Sequence, residues 1–217
     1  WVKHSDPLLQ ALHLLTREGK LNQDARRKLK QIYHFTRLLL PILEKIYTRK
    51  ESPKLVDVGS GKSYLGFLLY DLWIAPLERG EILSIESRPD LIQQAKALAL
   101  KSNFLRMKFL ESKISDALST SEMKDVDLVI ALHACDTATD EAILLALEKD
   151  AGAVVLVPCC QAETSKLLRE LPKSDSTLGH WQLWRHPIHS REFGSHLTNV
   201  IRSLTLETLG YQVTVTE

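Results

Sequence analysis

The residues with the clearest chemical potential form a glycine-containing loop, VDVGSGKSYLG, which runs from Val56 to Gly66. The apolar residues before the loop predict a buried strand, and the apolar spacing after it predicts a helix. A loop between a strand and a helix is where an open α/β sheet binds its ligands. Gly59 and Gly61 let the backbone turn tightly and approach a ligand closely. The segment therefore predicts a nucleotide-type cofactor site.

Three kinds of ligand compete for this loop. A dinucleotide fingerprint, G-x-G-x-x-G, has its third glycine at Tyr64, which disfavours a nicotinamide oxidoreductase. A P-loop ends like Gly61-Lys62-Ser63, but its first glycine falls on Val56, inside the strand. The pattern D-x-G-x-G, which starts at Asp57, is met in full. It resembles motif I of class I methyltransferases, in which the acidic residue helps to hold the amino-acid portion of S-adenosylmethionine.

A second carboxylate, Glu86, ends the next predicted strand and lies 29 residues after Asp57. That interval is typical of one strand-helix-strand unit. A carboxylate at this strand end can accept hydrogen bonds from both ribose hydroxyls of a nucleoside. The alternative is a solvated surface glutamate, and the buried character of the preceding strand favours the ribose role.

Two later segments narrow the resemblance: LHACDTATDEAI, from Leu132 to Ile143, and VPCCQ, from Val157 to Gln161. With the glycine loop, they resemble a methyltransferase subfamily that has a His-x-Cys-Gly segment, a Thr-Asp and a Cys-Cys pair. That subfamily includes eukaryotic tRNA 2′-O-methyltransferases of the acceptor stem. The resemblance covers about residues 25–217, and it implies S-adenosylmethionine-dependent methyl transfer to an unidentified acceptor.

The same resemblance implies roles for single positions. It places Asp140 at the family's Thr-Asp and Cys159-Cys160 at its paired cysteines. The cofactor-binding positions that it implies are Asp57, Gly59, Ser60, Gly61, Glu86, Leu132 and His133.

Three positions depart from the family pattern. Ser63 replaces the last loop glycine of many relatives, and Asp136 replaces the glycine after the first cysteine. Gln161 stands where the tRNA enzymes have histidine, which weakens a tRNA assignment and leaves open a non-catalytic cofactor-binding module. Relatives also continue into a seventh strand, so the resemblance implies that the chain is cut short at Glu217.

His133 is the candidate catalytic residue because it follows the fourth predicted strand and faces the predicted cleft. An imidazole there can act as general base for a hydroxyl or protonated amine. Its alternative role is to orient a loop by hydrogen bonding. We expect Asp140 to cap the following helix.

Three cysteines, Cys135, Cys159 and Cys160, follow neighbouring strands near His133. These are zinc-competent ligands, but their spacing matches no C-x-x-C signature. Small buried apolar side chains are the commoner explanation, so we expect no metal. Three cysteines, two of them adjacent, also make no disulfide framework, which favours a reducing, cytoplasmic setting.

The elements that must position these residues alternate between strand and helix. This alternation predicts an α/β fold with a Rossmann-like, doubly wound, mostly parallel sheet. The predicted strands are Lys54–Val58, Glu81–Glu86, Met107–Glu111, Asp127–Leu132, Ala153–Val157 and Tyr211–Thr216. The predicted helices between them are Ser63–Trp73, Pro89–Ser102, Thr137–Lys149, Ala162–Leu171 and Arg191–Leu209.

Residues before the first strand have helical spacing from Asp6 to Tyr47, with a kink expected at Pro41. Ser52-Pro53 breaks the pattern. We therefore predict a helical extension over residues 1–52 and a cofactor-binding domain over residues 53–217.

Charge separates the same two regions. Residues 1–50 hold 11 Lys and Arg against 4 Asp and Glu, whereas residues 51–217 hold 17 against 23. Arg26, Arg27, Lys28 and Lys30 cluster in the basic region. A basic arm on an acidic body suggests an anionic partner, and RNA is slightly favoured. A solvated helix face is the alternative, and protein or small-molecule acceptors stay open.

One further segment, Gly179 to His196, is rich in tryptophan and histidine. It is interpreted equally well as an aromatic substrate lid or as a packed loop. Elsewhere the composition, 44% hydrophobic and 25% charged, is typical of a globular domain. The longest apolar run, around Ala151 to Cys160, is too short to span a bilayer.

Overall fold

A computed structural model describes residues 6–12, 15, 18, 20, 23–132, 134, 136–158, 162–171 and 180–216. Five strands form one parallel sheet in the order β3-β2-β1-β4-β5. The strands are β1 (Lys54–Val58), β2 (Glu81–Glu86), β3 (Met107–Glu111), β4 (Leu128–Leu132) and β5 (Ala153–Val157). The predicted α/β, Rossmann-like class is confirmed, because the strand order reverses at β1.

The register fixes which residues share the carboxyl edge of the sheet. Asp57 on β1 pairs with Ser84 on β2 and with Ile130 on β4. Glu86, the last residue of β2, pairs with Glu111 on β3. The loops that follow β1, β2 and β4 therefore leave the sheet side by side at the switch point, where open α/β sheets bind ligands.

Nine α-helices are present in the described part of the chain: α1 (Asp6–Ala11), α2 (Gln23–Arg49), α3 (Tyr64–Leu69), α4 (Ala75–Leu77), α5 (Pro89–Lys101), α6 (Ile114–Ala117), α7 (Thr137–Glu148), α8 (Glu163–Glu170) and α9 (Pro187–Thr208). A π-helical turn, Tyr70–Ile74, joins α3 to α4, and 3-10 turns cover Ser121–Met123 and His180–Trp184. After residue 53, the five predicted helices are found close to their predicted bounds, whereas α4 and α6 have no counterpart in the prediction. The last helix begins at Pro187 rather than Arg191, because proline suits the first helical turn.

Helix α2 belongs to the same hydrophobic core as the sheet. Its Leu39 and Leu43 are fully buried and cluster with Leu55 of β1 and Phe67 of α3. The helix continues through Pro41, whose side chain is exposed. Such packing of an amphipathic face, more than helix propensity, stabilises a long helix.

The end of α2 is tied to the start of β2. The Tyr47 hydroxyl donates a hydrogen bond to the Arg79 carbonyl at 3.2 Å, and the Tyr47 ring meets Trp73 edge-on at 6.1 Å. The Arg79 guanidinium donates to the carbonyls of Tyr47, Lys50 and Glu51. Burial is the main reason that the pKa of Tyr47 is raised to about 12.

Contacts between Cα atoms divide the chain into two compact units. One comprises residues 1–132 and 141–157, so it contains α1, α2 and all five strands. The other comprises residues 133–140 and 158–217. The domain boundary placed between residues 52 and 53 stays a prediction.

In the second unit, α8 and α9 pack through small residues. The hydroxyls of Ser165 and Ser190 each donate to the other residue's carbonyl, at 3.1 and 3.0 Å. A Cβ on Gly194 would lie 2.6 Å from the Ser165 hydroxyl oxygen, so glycine lets the two helices approach this closely.

The sixth strand predicted at Tyr211–Thr216 is wrong. These residues form no strand, although Tyr211 and Val213 are half-buried and Gln212 and Thr214 are exposed. Alternation alone does not make a strand, which also needs a neighbouring strand for its backbone hydrogen bonds, and no described strand of the sheet pairs with this segment. As for membrane insertion, no described helix combines the length and apolarity that a transmembrane span requires.

The approach of α2 to the sheet predicts a strong effect of Gly80→Ala. Gly80 has φ +78°, and a Cβ there would lie 2.7 Å from both the Pro53 carbonyl and the Tyr47 hydroxyl. Both backbone strain and overpacking oppose alanine, so we expect a loss of about 2–4 kcal/mol in the free energy of unfolding, measured in urea.

Gly210→Ala is the matched control, because Gly210 has φ +93° with open space around it. This variant should lose about 1 kcal/mol in the free energy of unfolding, because alanine is strained by the left-handed backbone but meets no neighbouring atoms. Equal losses in the two variants would contradict the close packing at Gly80.

Candidate cofactor site

The glycine loop after β1 has the backbone that its sequence predicts. Gly59 and Gly61 have φ of +62° and +58°, in the left-handed region that favours glycine. The Ser60 amide donates to the Ile85 carbonyl at 3.0 Å, which holds the loop against the end of β2. The loop therefore turns back over the strand that carries Glu86.

Ser63 explains one departure from the family pattern. It has φ +54°, also left-handed, at the residue before α3 begins. The side chain is fully buried, and its hydroxyl donates to the Ser60 hydroxyl at 3.1 Å. Ser63 thus combines a glycine-type backbone, as the resemblance implies for this position, with a hydrogen bond inside the loop.

Glu86 organises the site. Only 6% of its surface is exposed, and its Oε2 accepts the Gly61 amide hydrogen at 2.8 Å. The Arg88 guanidinium donates to both carboxylate oxygens, at 3.0 and 3.2 Å, and the Arg88 amide donates to Oε1 at 3.1 Å. Burial raises the pKa of Glu86, but these hydrogen bonds and the Arg88 charge outweigh it, so the pKa is lowered. Glu86 is therefore held as a carboxylate.

Asp57 is the second buried carboxyl of the site. It is 2% exposed, and its Oδ2 has no hydrogen-bond partner among the described residues. Gly66 of α3 and Ser84 of β2 lie beside it: a Cβ on Gly66 would be 3.6 Å from Asp57 Oδ2 and 3.0 Å from the Ser84 hydroxyl oxygen. Burial, with a further contribution from the Glu86 charge, raises the pKa of Asp57 to about 7.

The remaining predicted site residues fall into two groups. Leu132 is the half-buried last residue of β4, two residues beyond the Asp57–Ile130 pair, so it lies at the carboxyl edge with the glycine loop. His133 lies outside the described residues, as do Cys135 and the segment Cys159-Cys160-Gln161. The structure therefore brings together the loop, Asp57 and Glu86, whereas the base role of His133 stays a prediction.

The expectation of no metal also stays a prediction. Among the residues that the structure describes, no three His, Cys, Asp or Glu side chains come together as ligands. The cysteines that raised the question are not among them.

Asp140 does not cap α7 as expected. It lies inside the first turn, and its carboxylate accepts two hydrogen bonds from the Arg202 guanidinium, at 2.7 and 2.8 Å. Arg202 also donates to the Asp136 carbonyl at 2.9 Å. No local sequence pattern indicates this partner, because 62 residues separate Asp140 from Arg202.

Asp136 has φ +55°, in the left-handed region that favours glycine, the residue that the resemblance implies at this position. Aspartate is among the few residues with a side chain that adopt this backbone readily. Its Oδ1 accepts a hydrogen bond from the amide of Glu163, the first residue of α8, at 3.3 Å, so the side chain holds the start of that helix.

Within the aromatic segment, the described residues from His180 onward do not form one irregular loop. His180–Trp184 forms a 3-10 turn, and α9 begins at Pro187. Trp184 stacks on Phe193 with ring centroids 5.6 Å apart, and the Arg185 guanidinium lies 5.1 Å from the Trp181 ring centroid. Both tryptophans are half-buried within their own unit.

Arg88 is the site residue that sequence reasoning missed. It directly precedes Pro89 at the start of α5 and lies two residues after Glu86. An acidic residue at a strand end, followed two residues later by a basic one, is a pattern that indicates an ion pair. The chain can turn back after the strand and bring the two side chains together.

The fold and the site define a Rossmann-like α/β protein with a nucleotide-type loop and an acidic residue at the end of β2. A sequence model described as a methyltransferase domain matches residues 27–167. The chain belongs to this methyltransferase-domain family. No curated protein matches it significantly.

Solved structures with similar folds include WbdD crystallised with the kinase inhibitor LY294002, at 17% identity and a TM-score of 0.43, with 58% of this chain and 29% of that one covered. A SAM-dependent methyltransferase from Aquifex aeolicus is 18% identical, with 51% and 56% covered and a TM-score of 0.34. Coclaurine N-methyltransferase bound to N-methylheliamine and SAH is 12% identical, with 53% and 32% covered and a TM-score of 0.35. The chain thus spans less than two thirds of the length of each.

The buried state of Asp57 predicts the pH dependence of stability. Since the folded pKa of about 7 exceeds the ordinary value of 3.8, the native state binds more protons between these values. The free energy of unfolding should therefore fall as pH rises from about 4 to about 7. Asp57→Asn should remove this decline, which is on the order of 1–4 kcal/mol.

Urea unfolding at pH 5, 6, 7 and 8 measures the effect. Asp116→Asn, at an exposed position on α6, is the control and should keep the wild-type profile. If Asp57→Asn keeps the same decline as well, Asp57 does not hold its proton in the native state.

Proposed function

We propose that this protein transfers methyl groups from S-adenosylmethionine. The observation that carries the proposal is the left-handed glycine loop at the carboxyl end of β1, tied through the Gly61 amide to the buried Glu86 carboxylate. A loop of this kind beside an acidic residue at the end of β2 suits an adenosyl ligand without phosphates.

The two carboxyls have separate roles in this proposal. Glu86 accepts hydrogen bonds from the ribose hydroxyls, while Gly59, Ser60 and Gly61 lie along the ligand. Asp57 provides negative charge beneath the loop, where a sulfonium and an ammonium would stabilise its ionised form. The unpartnered Oδ2 of Asp57 supports this role, because a buried carboxylate with no cation or donor is costly by itself.

Bound S-adenosylmethionine would supply the methyl group for an in-line displacement. Most of the acceleration can come from holding the acceptor atom on the axis of the breaking bond. Leu132, at the end of β4, would line the methyl group, and His133, the next residue, would take the proton of an acceptor hydroxyl or ammonium. Membership of the subfamily that includes tRNA 2′-O-methyltransferases, and a cytoplasmic setting, stay proposals.

RNA is the acceptor class that we favour, and the surface of α2 supports it. At 100° per residue, Arg26, Lys30 and Arg37 fall within about 40° of one another on the helix. All three are exposed, and the opposite side of the helix carries the buried Leu39 and Leu43. Arg27, Lys45 and Arg49 are also exposed on α2.

This basic stripe lies on a rigid helix. From Arg26 to Arg37 the stripe extends over about 17 Å along α2, and core packing together with the Tyr47–Arg79 contacts fixes the helix. Glu44 is an exposed acid on the same side, so the stripe is densest toward the start of the helix. Phosphate contacts along it would position an RNA and leave the choice of nucleotide to the cleft.

Binding of S-adenosylhomocysteine tests the cofactor site. We expect Glu86→Ala to weaken binding in a calorimeter by about 1.5–3 kcal/mol, because hydrogen bonds to a buried charged group are lost. Glu192→Ala is the matched control, since Glu192 pairs with the neighbouring Arg191 at 2.9 Å but has an exposed side chain on α9.

If Glu86→Ala binds S-adenosylhomocysteine as tightly as the wild type does, Glu86 does not hold the ribose. Absence of binding in the wild type would overturn the proposed function. Tight binding of S-adenosylmethionine with no labelled methyl in RNA, protein or metabolite fractions would identify a non-catalytic module.

Filter binding of total tRNA and rRNA at two salt concentrations tests the acceptor. Arg26, Lys30 and Arg37 should be replaced together by glutamine. If each contacts one phosphate, the salt slope should fall by about 0.7–0.9 per contact, or roughly 2–3 in total. The control replaces Arg106, Lys96 and Lys101, which are exposed basic residues elsewhere in the same unit.

Equal losses in the two triple variants would indicate nonspecific attraction. If the wild type shows no salt-dependent binding and labelled methyl appears in protein or metabolites instead, RNA is not the acceptor.

A further inference from the structure

The Glu86 carboxylate already has a full set of hydrogen-bond donors. Its Oε1 accepts from the Arg88 amide at 3.1 Å, the Arg88 Nε at 3.0 Å and, more weakly, the Ser87 hydroxyl at 3.4 Å. Its Oε2 accepts from the Gly61 amide at 2.8 Å and the Arg88 Nη2 at 3.2 Å. A carboxylate offers about four lone-pair sites. Two ribose hydroxyls can therefore bind only after other donors leave.

The donors differ in how easily they can leave. The amides of Gly61 and Arg88 are fixed by the loop and by the start of α5. The Arg88 guanidinium is at the end of a flexible side chain that is 62% exposed. It also lies over the loop, since a Cβ on Gly61 would be 3.8 Å from Nη2. The guanidinium is the group that both occupies the acceptor positions and can swing into solvent.

We propose that Arg88 competes with the ligand's ribose hydroxyls for Glu86, so that cofactor binding transfers the carboxylate from the guanidinium to the ribose. This inference rests on the proposed function, because it takes an adenosyl ligand at Glu86. Arg88 keeps the empty site's carboxylate ionised and partnered, and it lowers cofactor affinity. Binding then places a released guanidinium at the rim of the site.

Arg88→Met tests the competition, because methionine keeps an aliphatic stem of similar reach and removes the donors. The backbone bond from residue 88 to Glu86 is retained. We expect S-adenosylhomocysteine to bind roughly threefold to fivefold more tightly to this variant. This range is the upper end for exposed ion pairs, and we expect the upper end because Glu86 itself is buried. Arg191→Met, which removes the exposed Arg191–Glu192 pair on α9, should bind like the wild type.

The salt dependence of cofactor affinity distinguishes ionic competition from a purely structural role of Arg88, which salt would not affect. Added salt weakens the Arg88–Glu86 pair, so the affinity advantage of Arg88→Met over the wild type should shrink between 0.05 and about 0.5 M salt, as the screening length shortens. An advantage that is independent of salt would contradict an ionic competitor.

Adenosine and 2′,3′-dideoxyadenosine separate competition for hydrogen bonds from simple obstruction. Adenosine should gain affinity in Arg88→Met, and the dideoxy compound, which offers Glu86 no hydroxyls, should not. Equal gains would mean that the side chain only blocks the site, which overturns the proposal. Weaker or unchanged S-adenosylhomocysteine binding in Arg88→Met would overturn it too. Failure of wild type and variant alike to bind any adenosyl ligand would instead remove the proposed function.

Discussion

The hydrogen bond from the Gly61 amide to the Glu86 carboxylate links the two strand ends on which the site depends. It can form only because Gly61 adopts a left-handed backbone that turns its N–H toward β2. The Ser60–Ile85 bond and the Ser63–Ser60 hydroxyl contact then fix the rest of the loop. The parallel register of β1 and β2 places Asp57 and Glu86 close enough for each charge to affect the other.

The two carboxyls show how position within one sheet edge sets protonation. Glu86 ends its strand, so backbone and guanidinium donors reach it and keep it ionised. Asp57 lies one residue inside its strand, under α3, where the described residues provide no donor for Oδ2. The difference in available donors therefore gives one fixed anion and one carboxyl whose charge depends on its surroundings.

Much of the fold could be predicted from the sequence because strand and helix periodicities are local properties. The five strands, the glycine loop and Glu86 at the end of β2 follow from such patterns. Pairing between distant parts of the chain does not follow from them. Tyr211–Thr216 alternates like a strand but pairs with none of the strands that the structure describes, and Asp140 binds Arg202, which lies 62 residues further along the chain. Ser63 and Asp136 depart from the glycines that the family resemblance implies, yet both have the left-handed backbone that favours glycine. The type of a residue alone does not predict that it adopts this left-handed backbone.

The depth of Asp57 has a calorimetric consequence. With a pKa of about 7, the carboxyl is partly protonated near neutral pH. Any ligand that brings positive charge close to it will expel a fraction of a proton into the medium. The heat measured on binding then includes the ionisation enthalpy of whatever buffer takes up that proton. Apparent enthalpies in phosphate and Tris would differ, while the underlying interaction stays the same.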